Sequence, residues 1–233
     1  MRPRNLLLTA AGAGAALAAG VLKLRRDQAD AALDRAWRSL EALPAPGGIF
    51  TEASVAHLPE PARRYLLHAI APGTPLSPGM KLSMEGSINI GGWRSFRAAQ
   101  ILAPPVGFVW RPTVDFRPLK ATGADSYFEG EGRVQFWMLG VIPVASASGP
   151  DISRAAAGRL AIETLWSPGA LLGEGVRWEA AGDDAARFTM DVGGDAMTVT
   201  LRLAPDGALR ATEILRWSDI RQKGHYEWTP YGA

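Results

Sequence analysis

The stretch Ser148–Leu172, SGPDISRAAAGRLAIETLWSPGALL, predicts a single helix between two groups of strands. Its GPD at 149–151 is typical of a helix start, because proline fits the first turn and a carboxylate there complements the helix dipole. Its SPG at 167–169 is typical of a stop. Because this helix interrupts two runs of hairpins, we expect it to dock on their apolar face.

Two charged residues lie on the apolar side of the predicted helix. At 100° per residue, Arg159 and Glu163 fall near the centre of the arc that also carries Ile152 and Trp166. A buried charged pair is costly unless its hydrogen bonds are satisfied. In one interpretation, which we favour, the pair fixes the register of the helix on a sheet. In the other, it faces a cavity and holds a polar head group or a reacting atom.

On both sides of this helix, apolar residues alternate with polar ones, as in half-buried antiparallel strands. Their apolar face must be covered, and the helices are the available cover. The predicted fold class is α+β: a curved, half-barrel-like antiparallel sheet with helices packed on its concave face, preceded by an N-terminal hydrophobic helix. The predicted strands cover residues 80–90, 93–103, 106–116, 119–128, 132–144, 176–180, 187–192, 197–203 and 208–217.

The N-terminus carries the excess of positive charge. Residues 1–26 contain five bases and no acids, whereas the remainder has 20 bases and 23 acids, so we expect no nucleic-acid partner. The uncharged segment Leu6–Leu22 would rise roughly 25 Å as a helix, slightly less than the ~30 Å hydrocarbon core of a bilayer. It is interpreted as a signal anchor, a cleaved signal peptide or a buried soluble helix, and the anchor is favoured.

These patterns divide the chain into three parts. Residues 1–26 are a predicted signal anchor or signal peptide, 27–56 a helical linker, and 57–233 an α+β domain. We expect the membrane to be a partner and the body to be extracytoplasmic, because both export interpretations place it there. Cleavage of the signal would instead give a secreted or periplasmic protein.

Few residues offer recognisable chemistry. The chain has no cysteine, and its histidines, His57, His68 and His225, lack the spacing of a helical zinc pair. No nucleophile elbow or phosphate-binding glycine loop occurs. We therefore expect no metal and no cofactor. Asp125, Glu129 and Glu131 are candidates for acid–base work, although an exposed strand end explains them more simply.

Aromatic residues are concentrated between 93 and 137. Most are expected to form the core, but some are candidates for lining a pocket for an apolar ligand. The candidate ligand-binding residues are Arg159, Glu163, Trp166, Trp110, Phe108 and Trp137.

Several stretches, among them RRYLLHAIAPGTP, GADSYFEGEGRVQFWMLGVIPV and SRAAAGRLAIETLWSPGALL, resemble an uncharacterised bacterial family, a domain of unknown function. The resemblance covers about residues 57–233 and implies no established activity. Members of that family usually continue through further strands after a segment like HYEWTPYGA (225–233), which implies that this chain lacks the last strands and has an open sheet edge. In shape, the predicted plan also resembles the half-barrels of periplasmic lipoprotein carriers, an analogy of fold alone.

Three functions remain open from these patterns, and the oligomeric state is undetermined. The first is a non-enzymatic module of the cell envelope that binds a lipid or another apolar small molecule. The second is a hydrolase or other acid–base enzyme that uses Glu163 with Arg159. The third is a membrane-tethered protein-interaction module.

Overall fold

The chain, as a computed structural model, is described over residues 3–45, 47–218 and 223–228, with the backbone alone for residues 3–16. The helices in this part are α1 (Pro3–Glu41), α2 (Glu60–Ala69) and α3 (Pro150–Glu163). The strands are β1 (Met80–Asn89), β2 (Trp93–Ala103), β3 (Gly107–Phe116), β4 (Leu119–Phe128), β5 (Glu131–Met138), β6 (Ile142–Ser148), β7 (Val176–Gly182), β8 (Ala185–Val192), β9 (Asp195–Leu203), β10 (Leu209–Ser218) and β11 (Gly224–Trp228).

The α+β class is confirmed, but the strands form two antiparallel sheets where the sequence predicts one. The first sheet has the order β1-β2-β3-β4-β5-β6, and the second has the order β11-β10-β9-β8-β7. Each sheet is a series of neighbouring hairpins. The chain leaves the first sheet at β6, passes along α3 and two short 3-10 helices (Thr164–Trp166 and Pro168–Leu172), and enters the second at β7. This long connection replaces the hairpin that would have kept the strands in one sheet.

Helix α3 packs against both sheets. It contacts β4, β5 and β6 of the first sheet and β8, β9 and β10 of the second. Its buried residues Ala156, Ala157, Leu160 and Ala161 belong to the main hydrophobic core, which draws on both sheets. The small residues allow close approach, as at Gly132 on β5, whose N–H donates to Ser153 Oγ at 2.9 Å.

Helix α1 covers the opposite face of the first sheet. Ala36 and Leu40 form a second buried cluster with Ile101, Ala103 and Val109. Because α3 and α1 cover different faces, the end of β2 is buried on both sides, and residues 100–103 are buried consecutively. This differs from the prediction of strands with one solvated face and helices on the other.

Helix α2 buries one face and exposes the other. Ala62, Tyr65 and Leu66 are buried in the main core, whereas Arg63 and His68 are exposed. The ring centroid of Tyr65 lies 6.3 Å from that of Trp178 on β7. Helix α2 therefore covers the second sheet.

The end of α3 changes the position of Trp166. The α-helix stops at Glu163 and continues as a 3-10 turn, in which each residue advances by about 120° instead of 100°. At this advance Trp166 eclipses Glu163 and keeps to the predicted arc, but it lies beyond the last turn of the α-helix and is 48% exposed. The expectation that it points to the sheet with Arg159 and Glu163 is wrong.

The predicted membrane segment begins at Leu6, outside the residues whose side chains are described, and ends at Leu22, which is half-buried. No helix in the described part of the chain combines the length and the apolar character needed to cross a bilayer.

The close approach of α3 to β5 gives a first prediction. A Cβ atom at residue 132 would lie 2.6 Å from the carbonyl oxygen of Ile152 and 2.8 Å from Cα of Ser153, both backbone atoms of α3. We expect Gly132→Ala to lower the free energy of unfolding by about 1–3 kcal/mol, as overpacking does, measured by urea denaturation. Gly175→Ala is the control, because no atom lies within 4 Å of its Cβ position. Equal effects of both changes would contradict this close packing.

Candidate functional site

Arg159 lies in the middle of α3 and is bound by carboxylates from two elements. Its Nε donates a hydrogen bond to Glu163 Oε1 at 2.7 Å, and its Nη1 donates to Asp125 Oδ2 on β4 at 2.5 Å. The i, i+4 spacing brings Arg159 and Glu163 together on one helix face. The Arg159 side chain is only 15% exposed, so these bonds form away from bulk solvent.

Gln100 on β2 completes this arrangement. It is fully buried; its Nε2 donates to Glu163 Oε2 at 2.6 Å, and its Oε1 accepts from Arg159 Nη2 at 3.4 Å. Both oxygens of the Glu163 carboxylate thus accept a hydrogen bond. Sequence reasoning missed Gln100, although it is the single polar residue in the run AAQILA (98–103).

Two aromatic rings of β3 lie against the Arg159 guanidinium. Its Cζ atom is 4.6 Å from the ring centroid of Phe108 and 5.1 Å from that of Trp110. Cation–π contacts of this kind stabilise by about 0.5–2 kcal/mol, with the larger values where the cation is desolvated. Four of the predicted ligand residues, Arg159, Glu163, Phe108 and Trp110, are therefore brought together, and they pack against one another.

A second arginine enters from the second sheet. Arg216 on β10 donates from Nε to the Ala155 carbonyl oxygen at 3.1 Å. It crosses α3 at Gly158, where a Cβ atom would lie 2.9 Å from Arg216 Cγ. Burial, and then the nearby positive charge of Arg159, lowers the pKa of Arg216 below its ordinary value, while Asp125 and Glu163 act against this.

We call Arg159, Glu163, Asp125, Gln100 and Arg216 the charge network. It contains two cations and two carboxylates, so its formal charges cancel. Burial by itself would lower the pKa of Arg159, but the charges and hydrogen bonds of Glu163 and Asp125 raise it above its ordinary value. Arg159 therefore stays protonated and acts as a fixed cation, not as a proton donor.

Trp137, the remaining aromatic candidate, lies on the other face of the first sheet. It is 6% exposed, and Cζ of Arg26 on α1 lies 5.5 Å from its ring centroid. Arg26 also donates to Thr122 Oγ1 on β4 at 3.3 Å. The predicted pocket residues are thus divided between the α3 face and the α1 face, because the strand period does not say which helix covers which face.

The other acidic and histidine candidates do not converge. Asp125 faces Arg159, whereas Glu131 pairs with Arg133 and Glu129 lies exposed in the β4–β5 turn. His68 contacts the Asp206 carbonyl oxygen through Nδ1 at 3.1 Å. Among the described residues, no three potential metal ligands come together.

A groove of about 680 Å³ runs between α1 and the outer face of β4, β5 and β6. We call it the α1 groove. Its apolar wall includes Leu33, Phe128, Trp137 and Pro143, and its polar lining includes Arg25, Gln28, Arg35, Ser126, Glu129, Glu131, Arg133, Gln135 and Ser146. Neither Arg159 nor Glu163 lines it.

Comparison with known proteins identifies a family for this chain. A model described as a family of unknown function, DUF6544, matches residues 48–233, and the chain belongs to this family. The predicted resemblance is confirmed, and the match begins nine residues before the predicted start at residue 57. No curated protein and no solved structure matches the chain.

The charge network gives a second prediction. Arg159→Met leaves the buried carboxylate of Glu163 and the half-buried carboxylate of Asp125 without their cation, and removing one partner of a buried pair typically costs about 3–5 kcal/mol. We expect a loss of this size in the free energy of unfolding, measured by urea denaturation monitored by circular dichroism. Arg202→Met is the matched control, because Arg202 pairs with Glu213 on the exposed surface, and we expect a much smaller loss.

A double variant separates charge from packing at the same site. If unpaired charge causes the loss, adding Glu163→Gln to Arg159→Met should recover part of the stability. No recovery would mean that lost packing against Phe108 and Trp110 dominates instead.

Proposed function

We propose that this DUF6544 member is a non-enzymatic, membrane-associated protein of the bacterial cell envelope that binds a lipid or another amphiphile in the α1 groove. In this proposal the segment Leu6–Leu22 anchors the chain, and the body is extracytoplasmic. Cleavage of the segment as a signal peptide would give a secreted or periplasmic form. We further propose that the sheets curve around α3 in the manner of a half-barrel.

The observation that carries the proposal is the mixed lining of the α1 groove. Its volume of about 680 Å³ falls in the range of about 300–1,000 Å³ that is typical of small-molecule sites. One wall offers apolar surface from Leu33, Phe128 and Trp137. This combination suits a molecule with an apolar body and a polar head.

The cations of the groove favour an anionic head group. Arg25 and Arg35 line it, and neither forms an ion pair with another described residue. Arg133 is already paired with Glu131. A phosphate or carboxylate head would give Arg25 and Arg35 the charge-assisted hydrogen bonds that planar guanidinium groups make well.

The site proposed from the sequence, between α3 and the sheet, has less support. There Phe108 and Trp110 pack on the Arg159 guanidinium, and Gln100 and Arg159 occupy both oxygens of Glu163. Each oxygen of Glu163 thus already accepts a hydrogen bond from the scaffold, and the Glu163 side chain is only 11% exposed. This arrangement favours a scaffold role over acid–base catalysis by Glu163 and Arg159.

Reversing one groove charge tests the proposal. The full chain is purified from bacterial membranes, and the bound molecules are identified by native mass spectrometry. We expect a co-purified anionic amphiphile whose occupancy falls about tenfold or more in Arg35→Glu, because a hydrogen bond to a charged group contributes about 1.5–3 kcal/mol.

The control is Arg38→Glu, which makes the same charge change one helical turn away, at an exposed position outside the α1 groove. It should retain the bound amphiphile. An unmodified chain that carries no amphiphile, or equal loss in both variants, would contradict binding in the groove.

A further inference from the structure

One end of the first sheet carries exposed apolar side chains on its hairpin turns. Ile90 and Trp93 flank the β1–β2 turn and are 45% and 74% exposed. Leu139 and Ile142 flank the β5–β6 turn and are 64% and 45% exposed. Because neighbouring strands are antiparallel, the β1–β2, β3–β4 and β5–β6 turns all lie at this end. We call it the tip end.

The tip end is also basic. The strand ends that form its first two turns, residues 85–97 and 113–122, contain four bases and two acids, and residues 139–144 contain no charge. The bases are Arg94, Arg97, Arg117 and Lys120, and the acids are Glu85 and Asp115. The four bases outnumber the two acids, and the resulting net positive charge suits an anionic partner.

The opposite end of the same sheet has a different character. Its β4–β5 turn carries Glu129 and Glu131 around Gly130, and its β2–β3 turn exposes Val106 to 38%. The two ends of the first sheet therefore differ in character: one is apolar and basic, and the other is acidic.

Helix α1 leaves the sheet at the tip end. Its later residue Leu40 packs on Ile101 and Val109 near the acidic end, whereas Arg26 packs on Trp137 and Thr122, closer to the tips. Thr122 is four residues from the β3–β4 turn, or about 13 Å at 3.3 Å per residue. At 1.5 Å per residue, α1 needs at least about nine residues beyond Arg26 to reach the level of the tips, which falls within the uncharged segment Leu6–Leu22.

The emerging part of α1 exposes an apolar stripe. Leu17, Val21 and Leu24 are 73%, 51% and 58% exposed, and their spacing of four and three places them on one helix face. Leu17 and Val21 lie within the uncharged segment Leu6–Leu22, and Leu24 follows it. The course of the chain thus brings this segment to the same end as the exposed hairpin turns.

We propose that the tip end docks on the surface of an anionic lipid bilayer. Trp93 and Leu139, with Ile90 and Ile142, enter the head-group region, where tryptophan and aliphatic side chains are favoured at the boundary between lipid and water. The surrounding arginines and Lys120 face lipid phosphates. This inference rests on the membrane association in the proposed function, and it does not depend on amphiphile binding in the α1 groove.

Single labelled positions test this orientation, because the chain has no cysteine of its own. Trp93→Cys, Leu139→Cys and Val106→Cys are each labelled with an environment-sensitive fluorophore in the full chain. The protein is incorporated into vesicles of phosphatidylcholine and phosphatidylglycerol. We expect the emission from positions 93 and 139 to shift to the blue and to be quenched by nitroxide-labelled lipids, while the emission from position 106 remains that of a water-exposed probe.

Co-flotation of each protein with the vesicles distinguishes a failure of the docking surface from a failure of membrane association. If the protein floats with the vesicles and positions 93 and 139 are as water-exposed as position 106, the docking surface is overturned and membrane association stands. If the protein does not float, membrane association itself fails, and the docking surface fails with it.

Discussion

The ion pairing of Arg159 is the constraint on which the rest of the structure depends. A guanidinium that stays charged in a largely desolvated position must find acceptors, and it finds them on α3, β2 and β4 at once. These bonds fix both the rotation and the position of α3 on the first sheet. Arg216, which donates to the backbone of α3, ties the second sheet to the same helix.

This constraint also decides where a ligand has room. The α3 face of the first sheet is filled by the charge network and by the aromatic rings of Phe108 and Trp110. The α1 face is closed by a small apolar cluster around Ala36 and Leu40 and remains open as a groove beside β4, β5 and β6. A scaffold face and an open face therefore lie on opposite sides of the same strands, and the proposed amphiphile site belongs to the open one.

The two proposals share one geometric basis, the direction of α1. The helix crosses the outer face of the first sheet and carries Arg25 and Arg35 along the groove. It then continues past the apolar hairpin turns. A groove that begins near the tip end, beside a basic and apolar surface, suits a protein that takes an amphiphile directly from a membrane.

The sequence by itself determined the local elements: the alternation of the strands, the GPD start of α3, and the placement of Arg159 and Glu163 on one helix face. These features follow from backbone periods and short-range sterics. Only the tertiary structure decided the partners of Arg159, because Gln100 and Asp125 lie 59 and 34 residues away along the chain. It also divided the strands into two sheets, exposed Trp166 and separated Trp137 from Arg159. A period defines the faces of a strand, but which helix covers each face depends on long-range packing.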